Sequence, residues 1–227
     1  EKIDLVIFDL PYFPKKLFYQ AKLSKTKILA FDWFFKQKPD FNIIIYPHKK
    51  VSYLKKKLIG LQYLSLSNDL QLKEMKKINN FLIVLGGGDI RNQSIKVANF
   101  LLKQGHGVSL VIGPLIKNFN YKDLQNKIKI FKNPKNLYSL YLMHDFIITN
   151  GGMCMVEANF LNKKIFALPQ TKKELAFAKF FFYKKAILDY GFNKLKKFDF
   201  INIKHNTKNI VDNEGPNRIL KFIKKNI

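Results

Sequence analysis

Two glycine-rich segments stand where glycines can do chemistry. Gly86-Gly87-Gly88-Asp89 follows the apolar run Phe81–Leu85, and Asn150-Gly151-Gly152 follows the strand-like run Asp145–Thr149; each leads into a stretch with helical periodicity. A strand-to-helix turn without side chains lets backbone approach a ligand closely. The helix behind it offers unpaired N–H groups and the positive end of its dipole, a combination that suits a phosphate. Glu157 comes five residues after Gly152. On a helix starting near Gly152 its carboxylate falls on the second turn, within reach of two ribose hydroxyls while a diphosphate sits at the helix mouth. Two blander readings stay open: the glycines only turn the chain, and Glu157 is a solvated helix glutamate. No Gly-Lys-Ser/Thr follows Gly88, so the segment is not a P-loop, and Gly86–Arg91 does not satisfy the Gly-x-Gly-x-x-Gly dinucleotide fingerprint.

The other chemistry-bearing residues are scattered. His106 lies in a Gly-His-Gly turn, His144 at a helix end beside Asp145, and His48 and His205 in lysine-rich loops; all four read as structural or solvated. Cys154 is the one cysteine. It rules out an internal disulfide framework, favours a reducing, cytoplasmic setting, and reads as a small packed residue rather than a reactive thiol. No His/Cys/Asp cluster has metal-ligand spacing, and no cofactor is implied.

These residues need a scaffold, and the pattern supplies an α/β one, with apolar strand-sized runs alternating with helical stretches. Strands are expected at Leu5–Phe8, Lys27–Phe31, Asn42–Tyr46, Phe81–Leu85, Val108–Ile112, Lys127–Phe131, Asp145–Thr149, Ile165–Leu168 and, short, at Ile187-Leu188. Helices are expected over Asn92–Lys103, from Asn133-Pro134 to about Met143, and over Met153–Leu161, Lys172–Lys185 and Pro216–Lys225. Residues from about Pro47 to Asn80 are lysine-rich and poorly periodic, and read as a linker with a helical or irregular segment. The chain opens on Glu1 and passes at once into Ile3–Asp9, which reads as a buried strand met partway through a domain.

With 227 residues, 47% of them apolar, the chain can bury a substantial core. Its formal net charge is +25, from 41 basic and 16 acidic residues. Such a charge ordinarily suggests nucleic acid or an anionic surface. Here, however, only Arg91 and Arg218 are arginines, and the composition is rich in Lys, Asn, Ile and Phe. All four have A/T-rich codons, and nucleic-acid readers favour the forked guanidinium. A basic solvated surface is therefore the preferred reading, with no nucleic-acid partner; a peripheral contact with a membrane surface stays open.

In register along the second half, Phe81–Asn92, Val111–Pro114, Lys132–Leu137, Asp145–Ala158 and Val211–Arg218 resemble the C-terminal domain of the UDP-sugar hydrolases of the pseudaminic acid pathway, relatives of family 28 glycosyltransferases. The resemblance implies a GT-B-like architecture. Residues 1–60 would be the remnant of a truncated Rossmann-like N-terminal domain, 61–80 a linker, and 81–227 a C-terminal Rossmann-like domain that binds the nucleotide-sugar. It further implies that Gly86, Gly87, Gly88 and Asp89, with Asn150, Gly151, Gly152 and Met153, face the diphosphate and sugar. Glu157 would hold the ribose, and the backbone near Lys132 and Asn133 would border the uracil. The implied chemistry is hydrolysis of a UDP-linked sugar or, alternatively, transfer of the sugar to an acceptor, in surface-glycan biosynthesis and without a bound metal. A non-catalytic nucleotide-sugar-binding subunit, partnered by a separate N-terminal subunit, is the alternative of a different class. Two departures mark this chain. The family's glycine-rich loop with its histidine is not in it, so low activity of this chain alone is expected. Phe177 also stands where the family carries a sugar-contacting Asn, and Gln170 comes too early to replace the family's Gln.

Overall fold

The computed structural model describes residues 2–45, 57–67, 79–116, 124, 126–203 and 207–226. Its chain falls into two compact units, Glu1–Leu66 with Val211–Ile227, and Ser67–Ile210.

The first unit carries a parallel sheet in the order β1-β2-β3-β4. Its elements are β1 (Leu5–Phe8), α1 (Lys15–Leu23), β2 (Lys27–Phe31), β3 (Phe41–Ile44) and β4 (Lys57–Ile59). One face buries Phe8, Phe18, Ile28 and Trp33 beneath α1. Buried Asn42 accepts from the Trp33 amide (3.2 Å) and donates to its carbonyl (3.0 Å), so the polar group inside the sheet is satisfied. Strand β1 is an edge with Ile7 half exposed, not the buried strand expected from its composition. Strand β4 was read as linker: three residues among lysines give no pattern, and only pairing with β3 makes them a strand. Leu61, Leu64 and Leu66, assigned by sequence to the linker, are buried in this unit. His48 and His205, and the helical stretch expected before Asn80, lie outside the described residues.

The second unit is a doubly wound sheet. Its elements are β5 (Asn79–Val84), α2 (Gln93–Lys103), β6 (Val108–Ile112), β7 (Lys129–Lys132), α3 (Tyr138–Leu142), β8 (His144–Thr149), α4 (Met153–Phe160), β9 (Lys164–Ala167), α5 (Lys172–Tyr183), β10 (Asp189–Tyr190) and α6 (Phe192–Leu195). All strands are parallel, in the order β10-β9-β8-β5-β6-β7. Numbered within the unit, that is the Rossmann order, and it reverses between β5 and β8. The core fills both faces, since β5 buries every residue from Phe81 to Val84 and β6 every residue from Val108 to Ile112. Helix α2 adds Val97, Ala98 and Leu101 at helical spacing. Each large apolar side chain so buried contributes roughly 1.5–3 kcal/mol.

Three elements sit away from their expected places. The Lys127 and Ile128 amides bond back to Leu124 (2.9 and 3.1 Å), so residues 126–128 turn and β7 starts two residues late. Asn133 is left-handed (φ 41°) and Asn136 Oδ1 accepts from the Tyr138 amide (2.7 Å), which delays α3 to Tyr138. Leu188 N–H bonds to Ile165 as the chain enters the sheet, and the paired strand is Asp189–Tyr190 rather than Ile187-Leu188. The final helix, α7 (Gly215–Asn226), was expected to close the C-terminal domain. It belongs instead to the first unit, where Ile219, Phe222 and Ile223 cluster with Leu29, Phe41 and Ile43. Among the described residues, no helix is long and apolar enough to cross a membrane.

Candidate functional site

The two glycine turns lie at the carboxyl ends of β5 and β8, the adjacent strands at which the sheet order reverses. This is where ligands bind in doubly wound sheets. The turns touch: a side chain added at Gly86 would come 2.9 Å from Asn150 Nδ2. Gly86 also carries the positive φ of the turn, 78°. Gly87 has no positive φ, and a side chain there would meet only Leu115, at 3.5 Å. Gly113, after β6, lies directly on the Gly86 and Gly87 carbonyls, and Gly151 on the Glu174 carbonyl. Several of these glycines are therefore required by close backbone packing whether or not a ligand is bound.

The helix ends behind the turns differ. Asp89, expected to face the ligand, is buried and turned into its own helix. Its carboxylate accepts from the amides of Gln93 (2.9 Å) and Ser94 (2.8 Å) and from the Ser94 hydroxyl (2.6 Å). It thus occupies the mouth of α2 that was assigned to a phosphate, and it acts as a cap. The mouth of α5 is closed by a capping box of Thr171 and Glu174. Helix α4 begins after Gly152 with no side-chain cap. Of the three it is the one whose first turn stands open to an anion, with Met153 exposed beside it.

Gln170 is the residue that sequence reasoning set aside and that organises this region. It is buried between the turns. Its Nε2 donates to the Leu85 and Gly88 carbonyls (3.1 and 3.2 Å), and its Oε1 accepts from the Arg91 amide (3.2 Å). Glu174 holds the other side, accepting from Asn150 Nδ2 (2.8 Å) and from the Gln170 amide (2.6 Å). Asn150 is thereby oriented by a carboxylate. Phe177 is buried against Phe180 and Phe181 and is no part of this site.

Glu157 lies one and a half turns along α4, half buried, and accepts from the Tyr141 hydroxyl (3.1 Å). Burial raises its carboxyl pKa above the ordinary value, and the Tyr141 bond lowers it in part. Burial, with Cys154 and Glu157 as neighbours, pushes the Tyr141 hydroxyl up; burial likewise raises the Cys154 thiol, which makes it a poor nucleophile. Glu157 and Tyr141 form one wall of a cavity of about 290 Å³ that is also lined by Ser67 and residues 134–138. The Tyr138 hydroxyl is buried and has no hydrogen-bond partner among the described residues. Lys132 and Asn133 stop one residue short of the lining, both exposed, with the Asn133 amide bonded to Ile112 (2.8 Å).

The described histidines are not in the site. His144 is fully buried; its Nδ1 donates to the Leu140 carbonyl (2.6 Å) and its Nε2 accepts from Ser109 Oγ (2.8 Å), the neutral tautomer that a carbonyl partner requires. Burial lowers its pKa, which keeps it neutral. His106 packs on Phe81. Among the described residues, no group of His, Cys, Asp and Glu is placed to hold a metal ion.

No known family model matches the chain. It is 36% identical over 166 residues to Uncharacterized protein MJ1062 of Methanocaldococcus jannaschii, a match covering 64% of this chain and 33% of the relative. The chain thus spans about a third of the length of the curated relative it matches. Among solved structures it is similar to MurG of Acinetobacter baumannii, with a TM-score of 0.67 and 14% identity over 99% of this chain and 74% of that one. The chain has a GT-B-like fold. A further GT-B-like neighbour is the glycotransferase of kitacinnamycin, with a TM-score of 0.60 and 14% identity over 83% of this chain and 63% of that one. Another is the spinosyn rhamnosyltransferase SpnG, solved with thymidine diphosphate, with a TM-score of 0.52 and 10% identity over 79% of this chain and 58% of that one. At these identities the likeness concerns the GT-B-like fold.

Proposed function

We propose that the Ser67–Ile210 unit binds a UDP-sugar, with the nucleoside in the cavity beside Glu157 and the diphosphate at the open N-terminus of α4. One observation carries this reading. A half-buried carboxylate lines a cavity at the lower end of ligand-pocket size, on the helix at the sheet's switch point whose mouth no side chain caps among the described residues. Glu157 accepts from the ribose hydroxyls. The Gly86–Gly88 and Asn150–Gly152 turns, locked together by Gln170 and Glu174, lend their backbone to the phosphates and sugar. Lys132 and Asn133 border the base from outside the cavity.

The reaction is either hydrolysis of the sugar–UDP bond or sugar transfer in glycan synthesis. The sequence motifs support the hydrolase, and the names of two solved neighbours, a glycotransferase and a rhamnosyltransferase, support the transferase. No described histidine faces the cavity, so the general acid or base is assigned to no residue of this chain.

Calorimetric titration of UDP into the native chain and Glu157→Ala tests the reading. Losing a charged acceptor from a hydroxyl pair should weaken binding by about 1.5–3 kcal/mol, roughly ten- to hundredfold. Equal affinities would remove Glu157 from the site, and no binding by either chain would overturn the proposal.

A further inference from the structure

A second cavity, of about 180 Å³, opens in the Ser67–Ile210 unit where the starts of α2 and α5 meet the segments that follow β9 and β10. It shares no lining residue with the cavity around Glu157. Its walls come from three separate connections: Arg91 and Gln93 after the first glycine turn, Lys172 and Leu175 at the start of α5, and Gly191 and Phe192 after β10. Together they bring cationic, apolar and amide side chains to one cavity.

The cationic wall is unneutralised. The Arg91 amide is fixed by Gln170, which sets where its side chain leaves the backbone. Its guanidinium, like the ammonium of Lys172, has no hydrogen-bond or ion-pair partner among the described residues. Among the described residues, no carboxylate lines the cavity. The carboxylates nearest in sequence are engaged elsewhere: Asp89 on the Gln93 and Ser94 amides, Glu174 on Asn150 and Gln170, and Asp189 on Lys194 (2.7 Å). The apolar wall is Leu175 and Phe192. Gln93 also lines the cavity, and its Oε1 is buried and accepts no hydrogen bond among the described residues. A buried acceptor in that state is costly unless something donates to it.

We propose that this cavity binds a small organic anion. A carboxylate sits beside Arg91 and Lys172, where the guanidinium fork suits two oxygens. A short apolar chain lies against Leu175 and Phe192, and a hydroxyl or amide N–H donates to Gln93 Oε1. The volume has room for on the order of six water-sized groups at ~30 Å³ each, the size of a branched hydroxy or acylamino acid. This site stands independently of the nucleotide-sugar reading.

The test is amide-resolved NMR of the full chain titrated with 2-hydroxy-4-methylpentanoate. Saturable shifts are expected at the amides of Arg91, Gln93, Gly191 and Phe192, undisturbed by saturating UDP. Arg91→Met, an exposed position whose replacement leaves the core untouched, should weaken the probe about tenfold or more. Removing the probe's hydroxyl, as in 4-methylpentanoate, should weaken binding to the native chain but make no difference in Gln93→Leu, which melts at or above the native temperature. Shifts that never saturate, an affinity unchanged by Arg91→Met, or a hydroxyl preference that survives in Gln93→Leu would each overturn the assignment.

Discussion

Glu157 illustrates how one residue serves stability and binding in opposite directions. Its folded-state pKa is raised by burial, so between the ordinary value and the raised one the folded chain holds this proton more tightly than the unfolded chain. Stability therefore falls as pH rises through that window, and the ionised carboxylate present at neutral pH is a destabilising feature of the apo fold. As a ribose acceptor, the same group works best ionised. Glu157→Gln should accordingly melt at or above the native temperature at pH 7 and bind uridine more weakly, by about 1 kcal/mol. Native uridine affinity should fall as pH drops through the raised carboxyl pKa, while the Gln variant stays flat. Uridine is the right probe because a diphosphate titrates on its own account. A lower melting temperature with unchanged affinity would make Glu157 a structural partner of Tyr141. Tyr138 follows the same logic: it lines the cavity, and its buried hydroxyl has no hydrogen-bond partner among the described residues. Tyr138→Phe should leave thermal stability unchanged or higher and weaken UDP by about 0.5–1.5 kcal/mol; the reverse pattern would mean that the hydroxyl supports the fold.

At the scale of elements, the glycine turns divide into positions the fold needs and positions a ligand would need. Gly86 has a positive φ and abuts Asn150. Gly86→Ala should therefore destabilise by about 1 kcal/mol or more. Gly87 has room for a methyl group against Leu115. Gly87→Ala should melt normally and weaken UDP if the turn faces the phosphates. Thermal melts run beside titrations separate the two, and a Gly87→Ala chain with native affinity would take this turn away from the ligand. The turns were legible in sequence because strand, glycines and helix follow one another locally. The strut that joins them was not. Gln170 bonds Leu85, Gly88 and Arg91 across 79 to 85 residues, a relation that no local spacing encodes. Asp89 was legible and misassigned: it lies four residues before α2 yet reaches forward to accept from the Gln93 and Ser94 amides, and its place after three glycines drew the phosphate reading instead. Strand β4 and the shifts of β7 and β10 come from pairing and turn bonds that short, lysine-diluted segments do not announce.

Across the whole molecule the same contrast recurs between what is local and what is not. The terminal helix is evident from its periodicity, yet the sequence does not say which unit it completes. Its apolar stripe answers that: Ile219 and Ile223 cluster with Leu29 and Ile43 of the first sheet, and Phe222 meets Phe41 edge-on at 5.3 Å. Arg218 fastens the helix start by pairing with Asp212 (2.6 Å) and donating to the Gln62 carbonyl (2.9 Å). The chain thus returns to its first unit only after the second is finished, so the stability of the first depends on its last residues. Ile219→Ala should cost about 2–4 kcal/mol by leaving a cavity under α7. Because the candidate site lies wholly within Ser67–Ile210, UDP affinity should not change. Hydrogen exchange resolves the two units. Amides of β2 and β3 should lose protection in the variant, while those of β5 and β8 keep theirs. Equal loss in both sheets, or a fall in UDP affinity alongside it, would show that α7 supports the second unit as well as the first.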